Sequence, residues 1–382
     1  MLKKFKLKNY KNFKDEITID FKDTAGYQFN KDCLSDGIIS KMLIYGRNAT
    51  GKTNLGRALL DIGATIIGPI GYRNNGIMLN ADSNEKEAVF NYEFRFGDTE
   101  LFYKYSRKSN QELSYEKLII NDTCIFECDF DKKIYNFGNL NCISAETANV
   151  ERYKQSLEVE EDEISGAKLP FLRWVISNVA LQKDSVLIEL ANYVGRMMMI
   201  TVSNGIPYRM RKIDQRFYEL LEDENKLQDL EDFLNTMGIE CKLELRKLPD
   251  GQRELYFAHD KLVPFYENAS SGTIALVELY RRLVQRVRDA SLIYLDEFDA
   301  FYHYEMAENV IYFFKQRYPK CQIIMTSHNT NLMTNRIMRP DCLFILSRKG
   351  TLTALCNATQ RELREGHNLE KMYISGEFEK YE

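Results

Sequence analysis

Residues 46–53, Gly46-Arg47-Asn48-Ala49-Thr50-Gly51-Lys52-Thr53, satisfy the pattern G-x-x-x-x-G-K-[ST]. That spacing suits phosphate. Successive backbone N–H groups and a helix start cradle the oxygens, the lysine reaches the β- and γ-phosphates, and the threonine hydroxyl ligates Mg²⁺. A glycine-rich turn without a ligand is the alternative reading. The flanks argue against it, because an apolar strand-like run (38–45) precedes the loop and a helix-forming run, NLGRALLDI, follows it.

Three further clusters have chemistry that a bound nucleotide would use. The apolar run Ser291-Leu292-Ile293-Tyr294-Leu295 ends in Asp296-Glu297. Neighbours at a strand end point to different sides, so Asp296 is placed for Mg²⁺ and Glu297 for an attacking water. A second apolar run, 322–327, ends at His328, which follows the carboxylate strand by one helix and is placed to sense a γ-phosphate. Ala269-Ser270-Ser271-Gly272-Thr273 opens a helix just before the carboxylate strand. Its plain reading is an N-cap, and its sharper one a second anion site.

The elements that must position these groups read as an α/β chain. The N-terminus alternates strand-like residues with charge, and residues 88–120 turn to a period of two, with Phe90, Tyr92, Phe94 and Phe96 alternating with Asn91, Glu93 and Arg95. This predicts an antiparallel, half-exposed sheet. From about residue 150 the chain is acidic and then helical, through LPFLRWVISNVALQKDSVLIELANYVGRMMM and FYELLEDENKLQDLEDFLNTMG. A hairpin turning at Pro249-Asp250-Gly251 follows, and after residue 270 helices and strands alternate as in a parallel unit. Three segments result: 1–145 and 239–382 as the two halves of one head, with 146–238 as a helical insertion.

Composition excludes several classes. With 52 Lys+Arg against 56 Asp+Glu, a net charge of −4 and 44% hydrophobic residues, the chain is neither a basic nucleic-acid coat nor a disordered polymer. No run approaches the length of a membrane span, the first residues carry lysines where a leader needs an apolar core, and the eight cysteines show no CxxC. The expectation is a cytoplasmic protein with reduced thiols. No G-x-S-x-G elbow, cysteine–histidine pair or zinc spacing appears, and His259 and His367 read as surface residues.

The phosphate loop, the small-residue cluster, the LDE strand and the following histidine together resemble the ABC-type ATPase heads of the SMC, RecF and OLD-like proteins. More narrowly, NYKNF, GRNATGKTN, SSGT, LDEFDAFYH, TSHNTNLM and LEKMYISGEF look like the compact OLD-related ATPases of bacterial abortive-infection and anti-phage loci, including those of PARIS systems. The resemblance covers about residues 1–60 and 260–380. It implies an ABC-type P-loop ATPase head with a mixed central sheet, an antiparallel β subdomain and a helical insertion. It also implies ATP and Mg²⁺ as cofactors, an ATPase reaction, and a homo-oligomer of at least two copies with ATP at the interface. Gly46, Asn48, Gly51, Lys52, Thr53 and Asn54 would contact nucleotide, with Lys11 from the N-terminal motif. Ser270, Ser271 and Gly272 would close over the ATP held by another copy. Thr53 and Asp296 would hold the metal, Glu297 and His328 would be catalytic, and Asp299 and His303 would lie at the dimer contact. The implied partners are a separately encoded effector nuclease or toxin and a phage-encoded trigger.

The signature is SSGT rather than LSGGQ, Tyr304 follows His303 where relatives often have proline, and GEFEKYE lacks the glycine after the aromatic. Only Gln182 offers itself as a glutamine loop. Lys52 and Asp296 are too close in sequence to enclose a long coiled-coil arm, and the stretch after His328 is too short for a Toprim nuclease domain. Two alternatives stay open: an ATP-dependent scaffold with little turnover, and a RecF-like DNA-repair ATPase. The second needs a basic strip, for which the lysines between Lys3 and Lys14, Arg209/Arg211/Lys212 and Arg281/Arg282/Arg286/Arg288 are the candidates.

Overall fold

The alternating aromatics of the first half build one large sheet. The computed structural model describes residues 1–68, 78–145, 148–161, 168–201, 215–286 and 289–382. Strands β1 (Leu2–Lys8) and β2 (Ile17–Asp20) join β6 (Ala88–Phe96), β7 (Thr99–Arg107), β8 (Leu113–Ile120), β9 (Thr123–Asp129) and β10 (Ile134–Asn136) in an antiparallel sheet, ordered β10-β9-β8-β7-β6-β1-β2. Phe90, Tyr92 and Phe94 are fully buried on one face while Asn91, Glu93 and Arg95 stay half-exposed, as the period of two requires. That aromatic face packs on helices α1 (Lys52–Leu59) and α2 (Asp61–Ile66). The Tyr92 hydroxyl donates to the Ala58 carbonyl (2.9 Å) and the Tyr105 hydroxyl to the Asp61 carboxylate (2.7 Å). Burying each such aromatic contributes roughly 2 kcal/mol. The sheet therefore fixes the helix that begins at the phosphate loop.

The second sheet has the order β11-β15-β16-β5-β17-β18: β11 (Met197–Thr201), β15 (Leu292–Asp296), β16 (Gln322–Ser327), β5 (Lys41–Tyr45), β17 (Leu343–Leu346) and β18 (Leu352–Ala354). All pairs are parallel except β17–β18. Every residue of β5, β15 and β16 is buried, which explains their unbroken apolar runs. Because β16 lies between β5 and β15, the phosphate loop, Asp296-Glu297 and Ser327-His328 leave the same edge of three adjacent strands. Two residues each of β3 (Leu34–Ser35) and β4 (Ile38–Ile39) form a small ladder before β5.

Gln322 joins the two sheets. Its side-chain carbonyl accepts from the Leu2 N–H (2.9 Å) and the Tyr193 hydroxyl (2.6 Å), while its amide donates to the Leu2 carbonyl (2.9 Å).

The insertion contains the expected helices α3 (Val150–Glu161), α4 (Phe171–Asn178), α5 (Val186–Gly195), α6 (Gln215–Leu221) and α7 (Glu224–Thr236). One part of it departs from the sequence reading. The run at 197–199, expected as the end of a helical stretch, instead opens strand β11, paired in parallel with the carboxylate strand from Met197↔Leu292 to Thr201↔Asp296. The helix ends at Gly195, and the open edge of β15 then offers a full ladder of backbone partners, which outweighs the helical preference of methionine. The hairpin β12 (Leu243–Lys247) and β13 (Arg253–Ala258) forms as expected, with Gly251 at φ +83° in its turn and β14 (Leu262–Pro264) beside it. Helices α8 (Phe265–Asn268), α9 (Ser271–Arg286), α10 (Tyr304–Arg317) and α11 (Leu369–Ile374) complete the chain. The architecture is the expected α/β head with a mixed central sheet, an antiparallel β subdomain and a helical insertion. Among the described residues no helix is long and apolar enough to cross a membrane, and all eight cysteines are free thiols.

Candidate nucleotide site

The turn from β5 into α1 needs two left-handed residues, Ala49 (φ +65°) and Gly51 (φ +101°), of which only glycine reaches that region without steric cost. Gly51 has a second reason to be bare, since a Cβ there would stand 3.0 Å from the Asn12 side chain. Gly46 donates its N–H to the Ser327 carbonyl (3.1 Å), and a Cβ on it would meet Thr50 Oγ1 at 2.7 Å. Asn48 is exposed at the tip of the loop, and the Asn54 amide donates to the Asn12 side-chain carbonyl. Lys52 begins α1 and turns its ammonium back into the loop, donating to the Gly46 carbonyl (2.6 Å) and the Arg47 carbonyl (3.1 Å). Burial holds its pKa below the ordinary lysine range, against the opposing pull of Glu297, Asp296 and Asp299.

Thr53 and Asp296, from opposite ends of the sequence, meet at 2.7 Å, hydroxyl to carboxylate. The other oxygen of Asp296 accepts from Thr326 Oγ1 (3.1 Å), which in turn accepts from the Glu297 N–H (2.8 Å). A single hydroxyl thereby orients both acidic residues. Burial pushes the Asp296 carboxyl above its usual range, and the hydroxyls of Thr53 and Thr326 oppose that rise. Glu297 is at φ +49°, a strained setting for a residue with a Cβ, and it remains partly open to solvent. A threonine hydroxyl beside a carboxylate is a hard-oxygen donor pair, and it fits Mg²⁺. Behind the loop, the Tyr294 hydroxyl donates to the Lys52 carbonyl (2.6 Å). Its ring lies over Gly56, where a Cβ would be 2.5 Å from ring carbons.

The remaining expected residues fall into two groups. His328 is exposed at the end of β16; burial raises the pKa of nearby Asp299, with the Ser327 hydroxyl and, more weakly, His328 opposing the rise. Asp299 is buried and accepts from the Ser327 hydroxyl (2.7 Å) through one oxygen, while its other oxygen is buried with no hydrogen-bond partner. His303 is exposed at the N-cap of α10. Ser270 caps α9: its oxygen accepts from the Thr273 N–H (3.1 Å) and pairs with the Thr273 hydroxyl (2.8 Å). Ser271 is exposed, and Gly272 lies so close under the Phe301 carbonyl that a Cβ would come within 2.8 Å of it. The small-residue cluster thus packs beside the turn that carries Asp299. Among the described residues no hydrogen bond ties Ser270, Ser271 or Gly272 to the phosphate loop.

Lys11 is at φ +45°, donates its N–H to the Met78 carbonyl (2.9 Å), and stands beside Asn12 at the mouth of the loop. Gln182 is exposed in the turn before α5. Of the N-terminal lysines, Lys3, Lys4, Lys6 and Lys8 pair with Glu100, Asp20, Glu16 and Glu85, so their charge is largely matched locally. Arg281 pairs with Glu278. Arg209, Arg211, Lys212 and Arg288 lie outside the described residues, as do Asp162 and Glu163 of the acidic run. His259 and His367 are exposed, as expected.

Sequence reasoning missed Asn12, Tyr294 and Thr326. Thr326 carried a usable signal, a hydroxyl two residues before His328, but its role follows from the β15–β16 register, in which Leu295 pairs with Met325 and so sets Asp296 beside Thr326.

A family model described as "AAA domain, putative AbiEii toxin, Type IV TA system" matches residues 41–334. Among solved structures, the chain is similar to an SMC head bound to the C-terminal winged-helix domain of ScpA. Identity there is 13%, the TM-score is 0.46, and the match covers 92% of this chain and 96% of that one. It is also similar to the SMC head domain from Thermotoga maritima, at 15% identity and a TM-score of 0.43, covering 90% and 94%. No curated protein matches.

Proposed function

We propose, from the premise that the chain belongs to this AAA-domain family, that it binds and hydrolyses ATP and, as an assembly of at least two copies, controls a separately encoded effector in bacterial anti-phage defence. The observation that carries the reading is the 2.7 Å contact of Thr53 with Asp296 beside Lys52 and Glu297. Four residues from two distant motifs converge where phosphate and metal would be held. Backbone N–H groups of the loop and the start of α1 bind phosphate oxygens, and Lys52 leaves its carbonyl partners for them. Thr53 and Asp296 would hold Mg²⁺, which when bound offsets the charge of the β- and γ-phosphates. Glu297, fixed through Thr326, orients a water and takes its proton as that water attacks phosphorus, and the bond to the ADP oxygen breaks.

Assembly draws its support from a different patch. Asp299 Oδ1 and the Tyr302 hydroxyl are buried without partners beside Gly272, while Phe301 and Tyr304 are exposed at 40% and 41%. A second copy bringing donors to Asp299 and closing Ser270–Gly272 over the neighbour's nucleotide satisfies that patch. The defence setting rests on the putative AbiEii toxin and Type IV TA system in the family's description and on the anti-phage resemblance of the motifs. The DNA-repair alternative draws less, given the pairing of Lys3, Lys4, Lys6 and Lys8.

Two measurements test the reading. Glu297→Gln should slow hydrolysis on the order of 1,000-fold while ATP binding persists. Wild-type turnover in that variant would remove Glu297 as the base. Lys52→Ala and Ser270→Arg chains should each be inactive alone and regain turnover when mixed, because a mixed dimer holds one site with both residues intact. Absence of rescue in a mixture shown to contain mixed dimers would return Ser270 to an ordinary helix cap.

A further inference from the structure

Three side chains of the loop already have internal partners, while most of its backbone N–H groups do not. Lys52 rests on the Gly46 and Arg47 carbonyls, and Thr53 rests on Asp296. The Arg47 guanidinium, just after the first loop glycine, rests on the carboxylate of Glu382. That carboxylate belongs to a segment, 369–382, anchored by the fully buried Leu369 and Phe378. The segment reaches two parts of the site at once. Its helix α11 packs against the turn at Thr330–Leu332 that follows His328, and the Tyr373 ring meets Tyr45 edge-on, with centroids 4.9 Å apart. Between the segment and the loop is a cavity of about 210 Å³, lined among others by Tyr45, Gly46, Arg47, Thr50, Arg348 and Glu382.

We propose that Arg47 is a further phosphate ligand of the loop and that Glu382 holds it in reserve, so that nucleotide and segment 369–382 compete for one guanidinium. The Arg47 side chain is 55% exposed and that of Glu382 only 15%, so the carboxylate is the seated partner and the guanidinium the one free to turn. A planar guanidinium binds carboxylate and phosphate through the same paired N–H geometry, and a triphosphate presents more charge than a single carboxylate. Nucleotide therefore wins Arg47, and Glu382, left without its cation near added negative charge, loosens its segment. The coupling is reciprocal: whatever the segment gains from Arg47, nucleotide affinity loses.

The inference rests on ATP binding at the loop, so its test measures binding and segment motion separately. Titration with the non-hydrolysable analogue AMP-PNP is combined with hydrogen exchange on wild type, Glu382→Gln, Arg47→Ala and the double variant, with thermal melts confirming that each is folded. AMP-PNP should speed exchange across 369–382 in wild type, and Glu382→Gln should tighten binding about two- to five-fold, the range of an exposed ion pair. Arg47→Ala should weaken binding and abolish the exchange response, and adding Glu382→Gln to it should change nothing more. Failure of wild type to bind AMP-PNP overturns the ATP reading together with this one. Binding with unchanged or slowed exchange in 369–382, or a Glu382→Gln affinity equal to or weaker than wild type, overturns this inference alone.

Discussion

At the start of α4 the N–H groups of Phe171 and Leu172 donate to the Glu116 carboxylate at 2.6 and 3.0 Å, whereas at the start of α1 the cap residue Gly51 has no side chain to offer. Both helices span eight residues, and both begin with N–H groups that have no partner inside the helix and with a positive end. At α4 the chain supplies its own acceptor, the Glu116 carboxyl, fully buried and also bonded by the Tyr103 hydroxyl (2.8 Å), and the result is a joint between the antiparallel sheet and the insertion. At α1, on the proposed reading, an anion would come from outside, and the lysine that would meet it rests on loop carbonyls. The same orphan N–H groups would then serve stability in one place and ligand capture in the other. What distinguishes them is whether a carboxylate of the chain is folded against the helix.

The largest effect should come from the open end. Lys52→Ala should weaken ATP binding on the order of 1,000-fold, or about 4 kcal/mol, with the melting transition intact. Wild-type affinity in that variant, read by equilibrium titration, would erase the contrast altogether.

The closed end should respond in stability instead. Glu116→Ala leaves two buried N–H groups and a tyrosine hydroxyl without their acceptor, and should cost about 3 kcal/mol by chemical denaturation without changing nucleotide affinity. Glu116 also gives a pH signature. Burial raises its carboxyl from the ordinary 4.5 to about 7, outweighing the bonds from Leu172, Tyr103 and Phe171. A raised folded-state pKa means that its contribution is complete below about pH 4.5 and is lost as pH rises through 7. Wild type should therefore shed about 3 kcal/mol across that window that Glu116→Gln retains. Parallel stability curves for the two proteins would contradict the assignment.

Two smaller changes probe the loop's backbone. Gly51→Ala forces a Cβ onto a residue at φ +101° and against Asn12, and should cost about 2 kcal/mol of stability along with a loss of nucleotide affinity. Ala49→Gly removes the left-handed penalty at φ +65° and should stabilise the free protein by about 1 kcal/mol, seen as a rise in melting temperature. An unchanged melting temperature would show that the loop carries no strain at Ala49.

Residue order along the chain was enough for whatever is local. The loop's residue types and order, the apolar runs that make β5, β15 and β16, the period of two between 88 and 107, and the capping residues at 270–273 all act through neighbours in the chain, so they were legible without coordinates. Tertiary structure alone decided what depends on register and on meeting at a distance. Thr326 became the hydroxyl that orients Asp296 and Glu297 because β16 pairs with β15 at Met325↔Leu295, and a shift by one residue would have pointed it away. The 197–201 run became a strand because an unpaired edge of β15 awaited it. Glu116 reached the start of α4, and Glu382 the phosphate loop, across long separations in sequence, because buried apolar faces brought the elements together and polar groups then found their partners.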